Sequence, residues 1–240
     1  MSNKLVSNIP VSNSTPYKLY FPPCGFGFWY LLAKLSKLQE LDIDYELSGS
    51  SSGSLICLLS LIDKRYHSFE FMMEIAKDIR RNIAFPLNLY NIVREFVDRL
   101  LLLARETNPT RLRTGLSKIK IQVTEVTFKY YVVPVLTKHQ VTPTSLEHLR
   151  ELCLASSYIP VLSRKTSILS CFYNINDMML LDGGVADILS NVDTDIITFD
   201  RTPSRLLRIP TEDECKDMYR KGMSESIRKD LNITISENFV

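Results

Sequence analysis

Twice before residue 63 the chain runs from a short strand pattern through a glycine-bearing turn into an apolar helical pattern. Tyr17 to Phe21 alternates aromatic and polar residues and is closed by Pro22-Pro23, which suits a first strand. Gly27 to Leu41 follows with apolar residues at 28, 31, 32, 35 and 38, the spacing of one helix face. Asp44 to Ser48 reads as a second strand, Gly49-Ser50-Ser51-Ser52-Gly53 as a tight turn, and Leu55 to Ile62 as an apolar helix. Strand, turn, helix, strand, turn, helix is the pattern of a parallel α/β fold, because a chain that returns parallel to itself must cross one face of the sheet.

Further along, Ser68 to Arg81 and Leu87 to Glu106 have helical spacing, with Asn108-Pro109 ending the second run. They form a helical excursion rich in large apolar side chains, among them Phe69, Met72, Met73, Phe85 and Leu87. It suits either a cover over an apolar pocket or plain packing on the sheet. Lys118 to Thr124 and Phe128 to Leu136 read as strands from their alternation and β-branched content. Pro143 to Ser157 reads as a helix capped by Thr142, with proline at its first position. A short strand at Asp177 to Leu181 leads into Asp182-Gly183-Gly184, and Ile196 to Phe199 is the last strand. Thr211-Glu212-Asp213-Glu214 has the form of a capping box, so a surface helix is expected from Thr211 to about Lys229.

A chain of 240 residues with 45% hydrophobic side chains can bury a substantial core in one domain. The expected organisation is a flexible polar N-terminus over 1–16, one domain over 17–210, and a C-terminal helix and tail over 211–240. Twenty-nine Lys and Arg against 27 Asp and Glu leave a net charge of +2, too little to direct the chain to nucleic acid. Five cysteines, at 24, 57, 153, 171 and 215, show no metal-ligand spacing, so no metal is expected and a reduced, cytoplasmic protein is. No apolar run approaches the eighteen or so residues that span a bilayer, so any membrane contact is expected to be peripheral.

Only eight glycines occur, and six fall in three clusters: Gly25 and Gly27, Gly49 and Gly53, Gly183 and Gly184. Three turns of special geometry suggest one site. Gly-x-Ser-x-Gly between strand and helix lifts its central residue, Ser51, out of the backbone at a helix N-terminus, where a nucleophile belongs. The first cluster, after the first strand, can aim backbone N–H groups at a developing oxyanion, and the third supplies Asp182.

Cys24-Gly25-Phe26-Gly27-Phe28-Trp29-Tyr30, Gly49 to Gly53, Ala155-Ser156-Ser157-Tyr158-Ile159-Pro160 and Asp182-Gly183-Gly184 occur in the order and approximate spacing of the patatin-like phospholipases, which the chain resembles from about Tyr17 to Phe199. The resemblance implies a three-layer α/β/α sandwich with a central, mostly parallel sheet, and a Ser-Asp dyad in place of a triad. By that match Ser51 is the nucleophile, Asp182 its proton acceptor, Gly49 and Gly53 the elbow, and Gly183 and Gly184 its support. Oxyanion donors would come from the backbone of Cys24, Gly25, Phe26 or Gly27, and the Ala155 to Pro160 segment would brace the site. The implied activity is a lipid acyl hydrolase, of phospholipase A, lysophospholipase or triacylglycerol lipase type, with a phospholipid or neutral lipid as substrate and no cofactor.

One departure stands out. The family's oxyanion loop is glycine-rich and carries a basic residue, whereas this chain has Pro22-Pro23 before Cys24 and no basic residue there. Proline has no N–H to donate. A catalytically weak or inactive relative that binds lipid or protein is therefore one alternative. A triad-type serine esterase or thioesterase is another, but in α/β-hydrolases the histidine follows the acid, and His67, His139 and His148 all precede Asp182. The cluster Phe26, Phe28, Trp29, Tyr30 reads first as core. Arg80-Arg81 and Arg201, Arg205 and Arg208 read first as solvated charge.

Overall fold

In the computed structural model, strands β1 (Tyr17–Phe21) and β2 (Tyr45–Gly49) lie side by side in parallel, with Tyr17 beside Tyr45 and Phe21 beside Gly49. The structure describes residues 15–41, 43–82, 89–107, 109–130, 133–159, 172–187, 197–199 and 209–231. Between the two strands, helix α1 (Phe28–Leu38) buries nine of its eleven residues, as its apolar spacing requires. Helix α2 (Ser52–Leu59) follows β2 and is buried along its whole length. Eight residues are too few to hold a helix in water, so burial of Leu55, Ile56, Leu58 and Leu59, roughly 1.5–3 kcal/mol each, is what stabilises it.

Helices α3 (Phe69–Asn82) and α4 (Leu89–Arg105) form the expected excursion, and α5 (Pro109–Ser117) extends it. The expected helix stop at Asn108-Pro109 is also a start: Pro109 takes the first position of α5, where its missing N–H costs nothing. Strand β3 (Ile119–Lys129) then pairs in parallel with β2 and antiparallel with β4 (Val133–Val141). The single strand expected over Phe128 to Leu136 is thus divided between β3 and β4, with Lys129 beside Val133. Tyr130, at φ 53°, breaks it, and nothing in an aromatic, β-branched run marks that turn in advance.

Helix α6 (Leu146–Ser156) starts later than the expected Pro143, because Ser145, not Thr142, is its cap and accepts a hydrogen bond from the His148 N–H. Strands β5 (Tyr173–Ile175) and β6 (Met178–Leu181) form a hairpin whose turn, Asn176-Asp177, has two positive φ angles. The short helix α7 (Gly183–Asp187) and strand β7 (Ile197–Thr198) follow, the latter parallel to β1. Among the described residues three strand pairings are parallel and three antiparallel. The fold is therefore α/β with a mixed central sheet flanked by helices, and the expectation of a mostly parallel sheet fails because two hairpins and the β3–β6 pairing are antiparallel.

Leu19, Phe21, Leu47, Ile119, Ile121 and Val123 alternate onto one face of the sheet and join the helices in the core. At the C-terminus, α8 (Glu212–Ser224) begins at the expected capping box: Thr211 accepts from the Glu214 N–H, and the Glu214 carboxylate accepts from the Thr211 N–H at 2.8 Å. It is more than a surface helix, because its buried Cys215 belongs to the core and Gly222 lies against α1, where a Cβ would come within 2.6 Å of the Tyr30 carbonyl oxygen. Helix α9 (Ile227–Asp230) brings Asp230 to the buried Lys34 of α1 at 2.9 Å, and Glu225 lies 3.3 Å from the same ammonium. The residues 1–14, Phe85, Leu87, Pro160, Cys171, Ile196 and the Arg201, Arg205 and Arg208 run lie outside the described residues.

Among the described residues, no helix is long and apolar enough to cross a membrane.

Candidate active site

One edge of β3 carries β4 from Ile121 to Lys129. Its other edge is shared end to end: β2 stops with Gly49 beside Ile121, and β6, running the opposite way, stops with Leu181 beside Thr124. The residues that follow each stop are the Ser51 elbow and Asp182. Two segments far apart in sequence are thereby delivered to one place, around Gln122 and Val123.

Ser51 has φ 52° and ψ −124°, a conformation that L residues other than glycine rarely adopt and that costs about 1–3 kcal/mol. Its surroundings hold it there. The Ser51 N–H donates to Ser156 Oγ at 2.9 Å, and the Ser51 carbonyl accepts from the Ser54 N–H and the Ser54 hydroxyl. Ser51 stands at the N-cap of α2, the usual place for a capping serine, yet its hydroxyl makes no capping bond. The two glycines are sterically required: a Cβ on Gly49 would lie 2.3 Å from the Gly53 carbonyl oxygen, and one on Gly53 2.0 Å from that of Phe21.

Asp182 is buried at the end of β6. Its Oδ1 accepts from the Gly184 N–H at 2.7 Å, its N–H donates to the Tyr158 carbonyl, and its carbonyl accepts from the Thr124 hydroxyl. Gly183 abuts Gln122 and the elbow, so that a Cβ there would come within 2.0 Å of the Gln122 carbonyl oxygen and 2.8 Å of Ser50 Cβ. A Cβ on Gly184 would come within 2.6 Å of Pro23. All three glycine clusters therefore meet.

The loop after β1 narrows the choice of oxyanion donors. The Cys24 N–H already donates to Ser52 Oγ at 3.0 Å, and the Gly27 N–H closes a short 3₁₀ turn on the Cys24 carbonyl at 2.8 Å. Of the four residues expected to donate, Gly25 and Phe26 are the ones that line the same cavity as Ser51. Gly25 has φ 51°, which glycine adopts without cost. Ser52 also lines that cavity, and its N–H opens α2 directly after the elbow serine. The elbow rule points to this position for any such turn, but nothing in the residue itself singles it out in the sequence.

Three further residues belong to the site, and no motif marks the first two. Gln122, fully buried, donates from Nε2 to the Gly183 carbonyl at 2.8 Å and to Tyr20 Oη at 3.1 Å. Tyr20 Oη in turn lies 2.6 Å from Ser50 Oγ. Ser156 bridges the elbow to β3, accepting from the Ser51 N–H and donating to the Gln122 carbonyl at 2.6 Å. The bracing role implied for the Ala155 to Pro160 segment thus has a physical form, through Ser156 and the Tyr158 carbonyl.

The cavity beside Ser51 has a volume of about 290 Å³ and is walled mainly by apolar side chains, including Phe28 and Leu55 with Met73 and Ile79 of α3 and Phe96 of α4. The aromatic cluster near Trp29 is both core and wall: Phe28 meets Trp29 and Phe96 edge to face. A larger cavity of about 550 Å³ lies at the opposite end of β2 and β3, between Asp44, Lys64, Arg111 and Lys118. None of the motif residues lines it, so size and chemistry disagree, and chemistry is the better guide to a reacting centre.

No histidine lines the cavity that holds Ser51. His67 is buried with one ring nitrogen on the Leu59 carbonyl, and burial pulls its pKa down to about 4. His139 pairs with Glu125 at 2.7 Å, and His148 turns back on Thr144. Among the described residues no group of three or more His, Cys, Asp or Glu could hold a metal ion. No protein-family model matches this chain, and a search of curated proteins finds no relative.

Proposed function

We propose that the chain is a serine ester hydrolase acting on lipid acyl esters through Ser51 and Asp182, in the manner of the patatin-like phospholipases that its motifs resemble. The observation that carries this reading is the serine held at φ 52° on a strand-to-helix elbow, at the edge of an apolar cavity, with no capping bond on its hydroxyl. A backbone rarely holds such strain without a use for it.

In this reading the acyl chain lies in the cavity and the ester carbonyl sits over Ser51. Oγ attacks the carbonyl carbon while Asp182 takes the hydroxyl proton, and N–H groups of Ser52 and of Gly25 or Phe26 receive the oxyanion. The leaving alcohol takes the proton back from Asp182 and departs. Water then attacks the acyl-enzyme, Asp182 accepts its proton, and the fatty acid is released as Ser51 is reprotonated.

The prolines before Cys24 and the engaged Cys24 N–H favour a second reading, a lipid-binding relative of low activity, since one missing oxyanion donor costs about 100- to 1000-fold in rate. A fluorophosphonate probe decides between them. Wild-type protein is expected to gain one adduct by intact mass and Ser51→Ala none; unlabelled, folded wild-type protein would overturn the hydrolase reading.

A further inference from the structure

The β3–β4 hairpin extends past its pairing with the rest of the sheet. Among the described residues β3 pairs beyond Glu125 with β4 alone, and its last residue lies about 13 Å past Glu125, while the start of β6 and the Asn176-Asp177 turn lie toward the same end. The hairpin points out of the same end of the sheet at which the elbow and Asp182 sit. Its tip leaves Phe128 44%, Tyr130 79%, Val133 55% and Val135 39% exposed, four of the five most exposed large apolar side chains among the described residues.

From Val126 to Lys138 the sequence contains no acidic residue and two lysines. Lys129 folds its ammonium over the Tyr130 ring at 5.4 Å. The nearer carboxylate on β3, Glu125, is held by His139, while Asp177 in the β5–β6 turn is exposed toward the same end. Charge at this end is thus modestly positive, and the exposed apolar area outweighs it as a source of attraction to lipid. Tyrosine with aliphatic neighbours and flanking lysine is the composition that settles at a membrane–water interface.

A protein partner fits less well. Strand pairing along the outer edge of β4 is blunted by Pro134, and four side chains fall far short of the roughly 800 Å² per partner of a stable interface.

We infer that the β3–β4 hairpin tip is an interfacial anchor that inserts Phe128, Tyr130 and the Val133–Val135 segment into a lipid surface. This turns the end of the sheet that carries Ser51 toward the bilayer. The inference rests on the proposed hydrolase reading for its purpose, not for its physics: a hairpin of this composition binds lipid whether or not Ser51 reacts.

The test is co-sedimentation of the full chain with phosphatidylcholine vesicles containing a minor fraction of phosphatidylserine, alongside turnover of a short, water-soluble ester. Wild-type and Ser51→Ala proteins are expected to bind equally. Tyr130→Ser/Val133→Ser, two exposed positions that leave the core intact, is expected to bind about tenfold or more weakly while hydrolysing the soluble ester at the wild-type rate. Binding by that variant equal to wild type, absence of wild-type binding, or a wild-type dimer that the variant splits would each overturn the anchor. Vesicle binding without any ester turnover would keep the anchor and sink the hydrolase reading instead.

Discussion

Gln122 holds Gly183 by a side-chain hydrogen bond of 2.8 Å, and through its own carbonyl it holds Ser156, which holds the Ser51 amide. One buried residue on β3 therefore positions both halves of the proposed dyad without touching substrate. Gln122→Ala is expected to lower kcat about 100-fold with little change in KM, since displacement of about 1 Å is enough for such a loss. Stability should fall by about 1–3 kcal/mol. Comparing kcat, KM and Tm of this variant with wild type separates positioning from general unfolding, because a stability defect alone would lower the amount of active enzyme in a temperature-dependent way.

Ser51→Gly should raise stability by about 1 kcal/mol while abolishing turnover, because glycine occupies φ 52° without strain and its own entropic cost is smaller. Ser51→Ala, which keeps the strain, should lose activity with no such gain. Urea midpoints of the three proteins test this; equal midpoints for Gly and Ala would show that the elbow is not strained. Gly53→Ala should behave in the opposite way and cost about 3 kcal/mol or more, since its methyl meets backbone, which cannot swing aside.

If Asp182 alone takes the Ser51 proton, Asp182→Asn should remove ester hydrolysis, while His139→Ala and His148→Ala leave it within about twofold of wild type. A large loss in either histidine variant would return a triad to consideration.

His67 makes the fold sensitive to acid. Its folded pKa of about 4 lies below the unfolded value near 6.5, so the neutral ring is the form the fold accepts. The contribution is fully present above pH 6.5 and is lost as pH falls toward 4, to a total of about 3 kcal/mol. His67→Gln should flatten the slope of unfolding free energy against pH across that window. An unchanged slope would assign the acid sensitivity to other groups.

Lys34 is fully buried, whereas its partners Glu225 and Asp230 keep about a third of their side chains in water. The two ends of the pair should thus respond differently. Lys34→Met fills the same space and leaves two carboxylates that can rehydrate, so the loss should stay under about 1 kcal/mol. Glu225→Gln/Asp230→Asn leaves an ammonium buried and uncompensated, and should cost about 3–5 kcal/mol. Chemical denaturation of both variants checks the order.

The sequence carried the parts of this molecule that local chemistry dictates. β1, the Ser51 turn and the capping box at Thr211 follow from residues that touch their near neighbours, and each stands within a residue or two of where pattern places it. What escaped was set across distance or by an exception. Tyr130 turns the chain with a residue that rarely turns, Ser145 displaces Thr142 as a cap three residues on, and Gln122 looks like any polar residue in an alternating strand. Its importance exists only once β2 and β6 are laid along β3. The same is true of the Cys24 and Gly27 N–H groups, whose engagement in local bonds no spacing could announce.

Because β2 and β6 abut along a single strand, the separation of the two strand ends from which elbow and acid converge is measured in units of backbone: three residues of β3, from Ile121 to Thr124, or about 10 Å. Side-chain exchange nearby can tilt the reacting groups but cannot change that spacing. A one-residue slip of β3 would turn Gln122 toward the core and move both partners off their marks at once. The strand acts as a ruler, and selection on the proposed activity would be felt as selection on its register.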